Sequence, residues 1–411
     1  MASGKSLLDP DVIQCPFPFY DELRKERPVT FMPELEAYFV TRYDLAKLIL
    51  TDQRFRKSQV ILDGRKFVPT SKVAREILLR DEEIGLPVHC ISESDGERHS
   101  QFRKITEPYF GNRASLSQEP SFQASADELI DALGTAQTCD FTTQFATPYP
   151  IYAMCNIIGA PHTMYEDLKT YADAAMAYRS YVLSDDEAVA VGEAMVSGHA
   201  LTREMLRDRR RNPKSDLLTA LTQARVDDKP LTVREIVYII EEVLIGGYET
   251  TANSLNGAML HLAAYPDLQE AIRKDPSQTR SFLEEVFRML PSIQSGHRIA
   301  DVDVELEGVL IKADSKIYVA TGASDRDEAQ FKCPAKFDHL RDNLGRHIAF
   351  GGGKHFCLGA IITRTQQRIA VDTWLRQFSS IELTKPLESI QYRNSWVSRA
   401  PFEVPLRLRR A

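Results

Sequence analysis

The run FGGGKHFCLGA, Phe350 to Ala360, sets a single cysteine, Cys357, among four glycines, with a histidine two residues before it. Glycine inside a helix or strand costs roughly 0.5–1 kcal/mol relative to alanine, so a thiol surrounded by glycines needs a reason. A buried core cysteine gains nothing from Gly351, Gly352, Gly353 and Gly359. A structural zinc ligand paired with His355 would need further ligands, often arriving as a second close pair, and the sequence offers none. A nucleophile would need a base and an orienting group, which spacing alone does not place.

A fourth reading makes Cys357 the axial thiolate of a heme iron. Thiolate pushes electron density onto iron and favours O–O cleavage. Glycines let backbone amides close on the sulfur and admit positive φ. Leu358-Gly359-Ala360 then begin a helix whose N-terminal dipole steadies an anion. Heme also carries two propionates, which need cations. DGERHSQFR offers His99 and Arg103, at i and i+4 on one helical face. Arg298 stands in an extended segment after Pro291, and His355 precedes the cysteine. Each alone reads equally as a surface or capping residue; together they suit a bound dianion.

The bulk properties agree with an ordinary globular enzyme. The chain has 411 residues, 43% hydrophobic and 27% charged, enough to bury a large core. A net charge of −7 argues against a nucleic-acid binder. MASGKSLLDPDVIQC lacks the apolar core of a signal peptide, and no stretch has the ~18 apolar residues of a membrane span. Six scattered cysteines without a CxxC pair fit a reducing cytoplasm.

Val29-Thr30-Phe31 and Tyr38-Phe39-Val40 read as strands, followed by a helix from Asp44 to Leu50. Helical patterns dominate from about 96 to 290. Short strands return in DVELEGVLI (303–311) and KIYVAT (316–321), and FEVPLRLR reads as an edge strand. No composition break marks a boundary, so one domain over 1–411 is expected, mainly α with small β-sheets. The longest helix opens at the capping box Thr232-x-x-Glu235 and stops at Pro266, about 50 Å in length. It is apolar around most of its circumference between Ile236 and Ile245, as in a helix running through a core. Its middle, GGYETT, departs from helix composition: Gly246-Gly247 cost about 2 kcal/mol relative to alanines. Either another helix packs closely there, or something large and flat lies against it beside a polar groove.

At this point the sequence resembles the cytochrome P450 family, the heme-thiolate monooxygenases. The signature F-G-x-G-x-H-x-C-x-G is matched by Phe350, Gly351, Gly353, His355, Cys357 and Gly359. An E-x-x-R pair is matched by Glu285 and Arg288, and the central-helix acid–alcohol pattern by Gly246, Gly247, Glu249, Thr250 and Thr251. The H-x-x-x-R pair of bacterial members is matched by His99 and Arg103. The family's P-x-R-F segment reads PAKF here. Lys336 in the arginine's place keeps the charge and loses the planar fork, which implies a weaker lock on the E-x-x-R pair.

The resemblance implies heme b held by Cys357, with Phe350, Gly351, Gly247, His99, Arg103, Arg298 and His355 around it, beneath a long central helix. It implies insertion of one oxygen atom of O2 into a small to medium hydrophobic substrate, by hydroxylation or oxidative demethylation. Glu249 and Thr250 would deliver protons, and Thr250 would steady the activated oxygen. As consecutive residues they lie about 100° apart, so acting together calls for local opening at Gly246-Gly247. Glu285 and Arg288 would be structural. Val243, Tyr178, Ile293 and Trp396 are the expected pocket residues, with Phe67 and Tyr181 in the same stretches, and Arg179 is a candidate for pairing a substrate carboxylate. Electrons would come from a ferredoxin and its NAD(P)H reductase, docking near Arg341, Arg346, Lys354 and Arg364. The alternatives are a peroxide-driven peroxygenase and a heme sensor without turnover.

Overall fold

The computed structural model describes residues 5–57, 71–88, 90–180 and 183–411. The expected positions Phe67 and Tyr181 lie outside them. The chain condenses into two compact units: residues up to 56 with 119–149 and 250–411, and residues 57–118 with 150–249.

The first unit holds the sheets. β-Branched and aromatic residues place Val29–Met32 and Ala37–Val40 in an antiparallel pair. Lys316–Val319 adds in parallel to Ala37–Val40, and Gly296–Ala300 and Phe55–Arg56 complete five strands. The helix Tyr43–Thr51 covers this sheet, burying Ala46 and Ile49 with Val40, Ile317, Val319 and Phe331. The run 303–311 folds back on itself at Glu307-Gly308, both at positive φ, as Val304–Leu306 and Val309–Ile311.

A three-stranded sheet corrects the reading of the last segment. Pro405–Arg410 is its middle strand, between Phe378–Leu383 and Thr138–Asp140. Proline is tolerated because it stands first in the strand, where a missing N–H breaks no ladder. The helix Ala360–Gln377 leads into this sheet. Its Trp374, fully buried, packs edge-on against Phe141 and Phe145 at centroid distances of 4.9 and 5.2 Å and beside Phe378.

The second unit is helical. Asp185–Arg211 begins at a capping box in which Ser184 and Glu187 bond reciprocally. It packs along Tyr165–Ser180 and Lys72–Leu78. Small residues set that closeness: a side chain at Gly198 would meet the Tyr171 ring, and one at Gly192 would stand 3.0 Å from Ile77.

The central helix runs from Val233 to Ala264, close to the expected bounds. Thr232 N–H donates to Glu235 Oε2 at 2.8 Å and Glu235 N–H to Thr232 Oγ1 at 3.1 Å, which is the expected capping box. Pro266 opens the next helix, Pro266–Lys274. No helix among the described residues is long and apolar enough to cross a membrane.

Candidate functional site

The Cys357 loop is a series of tight turns. Gly351 N–H donates to Ile348 O at 2.8 Å, Phe356 N–H to Gly353 O at 3.1 Å, and Cys357 N–H to Phe350 O at 2.9 Å. Gly351 and Gly353 take φ of 72° and 64°. Gly353 is doubly required, since a Cβ there would stand 2.5 Å from the Leu50 carbonyl. The half-buried Cys357 therefore sits between a glycine turn and the first turn of Ala360–Gln377, whose N-cap is Gly359. Among the described residues no three His, Cys, Asp or Glu side chains are grouped to hold a metal ion. The zinc reading of Cys357 with His355 thus lacks its other ligands. A metal on this thiolate would take its remaining donors from a cofactor, as a porphyrin supplies.

Directly behind the loop lies a network that sequence reading half saw. Glu285 and Arg288 are fully buried on the helix Gln278–Met289, joined by bonds of 2.7 and 2.8 Å. Arg288 also donates to the carbonyls of Asp325 and Pro334. The third member is Arg341. It grips both Glu285 oxygens at 3.1–3.2 Å and donates to the carbonyls of Lys332 and Lys336. This corrects two expectations. The lock is not weakened by Lys336, which is exposed, because a guanidinium five residues later fills the place. Arg341, with 6% of its side chain exposed, also leaves the proposed docking surface.

Glu284, the neighbour of Glu285, was not singled out from sequence. It accepts from His347 Nε2 at 2.9 Å and from Arg364 Nε at 2.6 Å. Burial opposes its ionisation, yet His347 and Arg364 overturn that and hold its carboxyl down at about 2. Arg364 in turn stacks over the Phe350 ring, its guanidinium carbon 4.4 Å from the centroid. Of the expected docking cations Arg364 is therefore tied inward, while Arg346 and Lys354 are exposed. The sequence signal was present in E-E-x-x-R, but two adjacent acids read first as a solvated face.

On the central helix the GGYETT stretch stays regular α-helix, so the expected local opening is absent. Gly247 was expected against the cofactor. Instead a side chain there would run into Met154, so this glycine serves close helix packing. A Cβ at Gly246 would meet nothing within 4 Å, and that residue is the exposed one. Tyr248 is buried and its phenol faces Asp173, pointing away from the Gly246 side; burial first, then Asp173, pushes its ionisation well up. Glu249 is half-buried. Thr250 is held through its carbonyl, which accepts from Ser292 Oγ at 2.7 Å.

His99 and Arg103 lie one turn apart on the helix Gly96–Thr106; His99 is buried, and Arg103 pairs with Glu107 at 2.9 Å. Arg298 is buried in the strand Gly296–Ala300, donating to its neighbour's carbonyl on His297 at 2.8 Å. His355 is half-buried in the Cys357 loop.

Val243 and Tyr178 are buried in the helical unit. Ile293 bridges to Ser398, and Trp396 packs edge-on against Tyr318 at 4.7 Å, lining a small cleft with Tyr20 and Gln294. Arg179 does not await a substrate carboxylate: it bonds the buried Glu241, which also accepts from Tyr171 Oη at 2.9 Å.

Comparison with known proteins decides the family. The cytochrome P450 family model matches residues 191–401. Nocardicin C N-oxygenase of Nocardia uniformis subsp. tsuyamanensis is 30% identical over 95% of this chain and 94% of its own. This chain belongs to the cytochrome P450 family. The P450 is also 29% identical to 6-deoxyerythronolide B hydroxylase of Saccharopolyspora erythraea, over 95% of each chain. Its fold matches P450BioI, solved in complex with hexadec-9Z-enoic acid ligated acyl carrier protein, with a TM-score of 0.86 and 26% identity over 97% of this chain and 99% of that one. The P450 is accordingly a heme b enzyme of the monooxygenase class, acting on small molecules with O2.

Two outcomes follow from the buried network. Arg341→Ala leaves Glu285 short of one guanidinium and should cost about 3 kcal/mol, whereas Lys336→Ala should stay within about 0.5 kcal/mol of the parent; denaturant midpoints compare them. Glu284 has a folded value depressed from 4.5, so its stabilising effect is complete above about 4.5 and fades as pH falls towards about 2. Thermal melts across that window should fall less steeply in Glu284→Gln than in the parent.

Proposed function

We propose that this P450 binds heme through Cys357 and uses O2 and two electrons to oxygenate a small to medium hydrophobic substrate in the cytoplasm. The observation that carries the reading is the half-buried Cys357, held between two positive-φ glycines and the first turn of the helix Ala360–Gln377. The heme, when bound, supplies the reduction and cleavage of dioxygen. The chain's own task is to hold the thiolate, to seat the propionates and to move protons.

Cys357 is steadied as an anion by the helix start behind it. Propionates would be taken by His99, Arg103, Arg298 and His355; cations in such positions form charge-assisted hydrogen bonds roughly twice as strong as neutral ones. Phe350, pinned by Arg364 through Glu284, holds the near wall of the thiolate loop. Glu249 and Thr250 are the proton-handling pair. With the helix closed through both, they act about 100° apart. Glu249 then passes its proton to the Thr250 side through a bridging water rather than by direct contact. An acid–alcohol pair of this kind favours the O2-dependent reaction over a peroxide-driven one or a sensor, neither of which needs proton delivery.

Val243 and Tyr178 in one unit and Ile293 and Trp396 in the other are proposed to contact substrate. The relatives' names, an N-oxygenase and a hydroxylase, and a P450 bound with a carrier-linked fatty acid, fit a mainly apolar pocket with few polar anchors. A ferredoxin-type donor would meet exposed Arg346 and Lys354, steered by charge.

The reduced protein treated with carbon monoxide should give the strongly red-shifted Soret band of thiolate-ligated heme, and Cys357→Ser should lose it; an unchanged band in the variant removes Cys357 as ligand. Thr250→Ala should keep that band and substrate binding while diverting reducing equivalents to peroxide. Full coupling of electrons to product in Thr250→Ala would take Thr250 out of the reaction.

A further inference from the structure

The central helix is buried on every side from Ile236 to Glu241 and again from Thr251 to Leu260. Between those stretches Val243, Leu244 and Tyr248 are also buried, while Glu242, Ile245, Gly246 and Glu249 are not. At 100° per residue these four fall within an arc of about 100°. They form one strip of helix surface that protein does not cover. Gly246, where a side chain would meet nothing, lies at its middle, and Glu249 lies at its far end. Glu242 opens the strip, two helical turns or about 10 Å before Glu249. A carboxyl group there is costly to keep beside Ile245 and Val243 unless something uses it.

The local bonding leaves Glu242 half satisfied. Its Oε2 accepts the Ser92 N–H at 3.1 Å, and its Oε1 accepts no hydrogen bond from the described residues. The adjacent Glu241 is in the opposite situation: buried, and held by Arg179 and Tyr171. Three other charges face Glu242. Arg179 comes from the helix Tyr165–Ser180 and is directly bonded to Glu241, and Glu93 stands beside Ser92 with Lys57 3.7 Å from it. Pairing Arg179 with Glu241 and Lys57 with Glu93 leaves Glu242 as the anion in excess. Burial raises its carboxyl to about 7, with Arg179 and the Ser92 N–H working against the rise. Cys90, whose thiol Glu242 helps to push up, adds no positive charge.

We propose that Glu242 is a substrate-anchoring residue and that this P450 takes a hydrophobic substrate bearing a basic amine, held by Glu242 Oε1 about 10 Å from Glu249. The inference rests on the monooxygenase reading above and narrows its substrate class. A protonated amine supplies the missing donor and cancels the unmatched charge. A carboxylate-bearing substrate would meet repulsion at the same place, and a neutral alcohol would gain only an ordinary hydrogen bond.

The test uses heme-loaded protein and two probes of equal chain length, N,N-dimethyldodecylamine and dodecan-1-ol, titrated by calorimetry at pH 6 and pH 8. The amine should bind about tenfold more tightly than the alcohol at pH 8. The preference should shrink at pH 6, because Glu242 takes up a proton while the amine stays charged. Glu242→Gln should abolish the preference at pH 8, leave the alcohol's affinity within about twofold, and keep the carbon monoxide spectrum of the parent. A preference that survives in Glu242→Gln overturns the assignment. So does equal binding of the two probes by the parent, an outcome that leaves the hydrophobic-substrate reading intact. Binding of neither probe by spectrally intact protein overturns both.

Discussion

A carboxylate with no access to water, Glu285, is the point on which the sheet-bearing unit turns. Two guanidiniums meet it, Arg288 from its own helix and Arg341 from a segment with little regular structure, and Asp338 adds its N–H. A single buried pair is weak evidence of stability, since desolvation consumes most of the attraction. Here the arginines do more than neutralise. Between them they also donate to the carbonyls of Asp325, Pro334, Lys332 and Lys336. Residues 325–341 contain no strand and no long helix, so their backbone groups need partners from elsewhere. The Glu285 cluster supplies them.

The neighbouring acid extends the same logic towards the thiolate. Glu284 binds Arg364 on the helix that follows Cys357 and His347 on the approach to it. Both flanks of the thiolate loop are thereby referred to one helix, Gln278–Met289. Asp325 completes the frame by accepting the Ile348 N–H at 2.8 Å. The glycines make the loop's shape possible, and the Glu284–Glu285 pair makes that shape the only one held. Preorganisation of this kind lets a loop position a reactive atom as well as a strand or helix would.

Much of this was legible in the sequence, and the failures share one cause. Short-range signals carried: the capping box at Thr232, the strands at Val29 and Tyr38, the helix starting after Cys357, the glycine turns. Signals that depend on which face a residue presents did not. Gly247 and Gly246 are adjacent and equivalent as letters, yet one packs on Met154 and the other lies open. Arg341, Arg346, Lys354 and Arg364 form a positive stretch in the chain, but two of the four turn inward to buried acids. Lys336 looked like a defect because the compensating guanidinium sits outside the expected motif. The last strand was misjudged because alternation is the same at the edge and the middle of a narrow sheet; the flanking strands come from residues far away in sequence.

The parallel pairing of Ala37–Val40 with Lys316–Val319 has a consequence for how the molecule assembles. The Val29–Val40 hairpin forms locally, but its second face of backbone donors and acceptors stays unpaired until a segment near residue 316 arrives. Loop closure over so long a span is slow, and an open strand edge invites other chains meanwhile. Phe31, 51% exposed at that hairpin, adds an apolar side chain to the waiting edge. Refolding at high protein concentration should therefore lose material by strand-edge association, before the thiolate loop has had any chance to form.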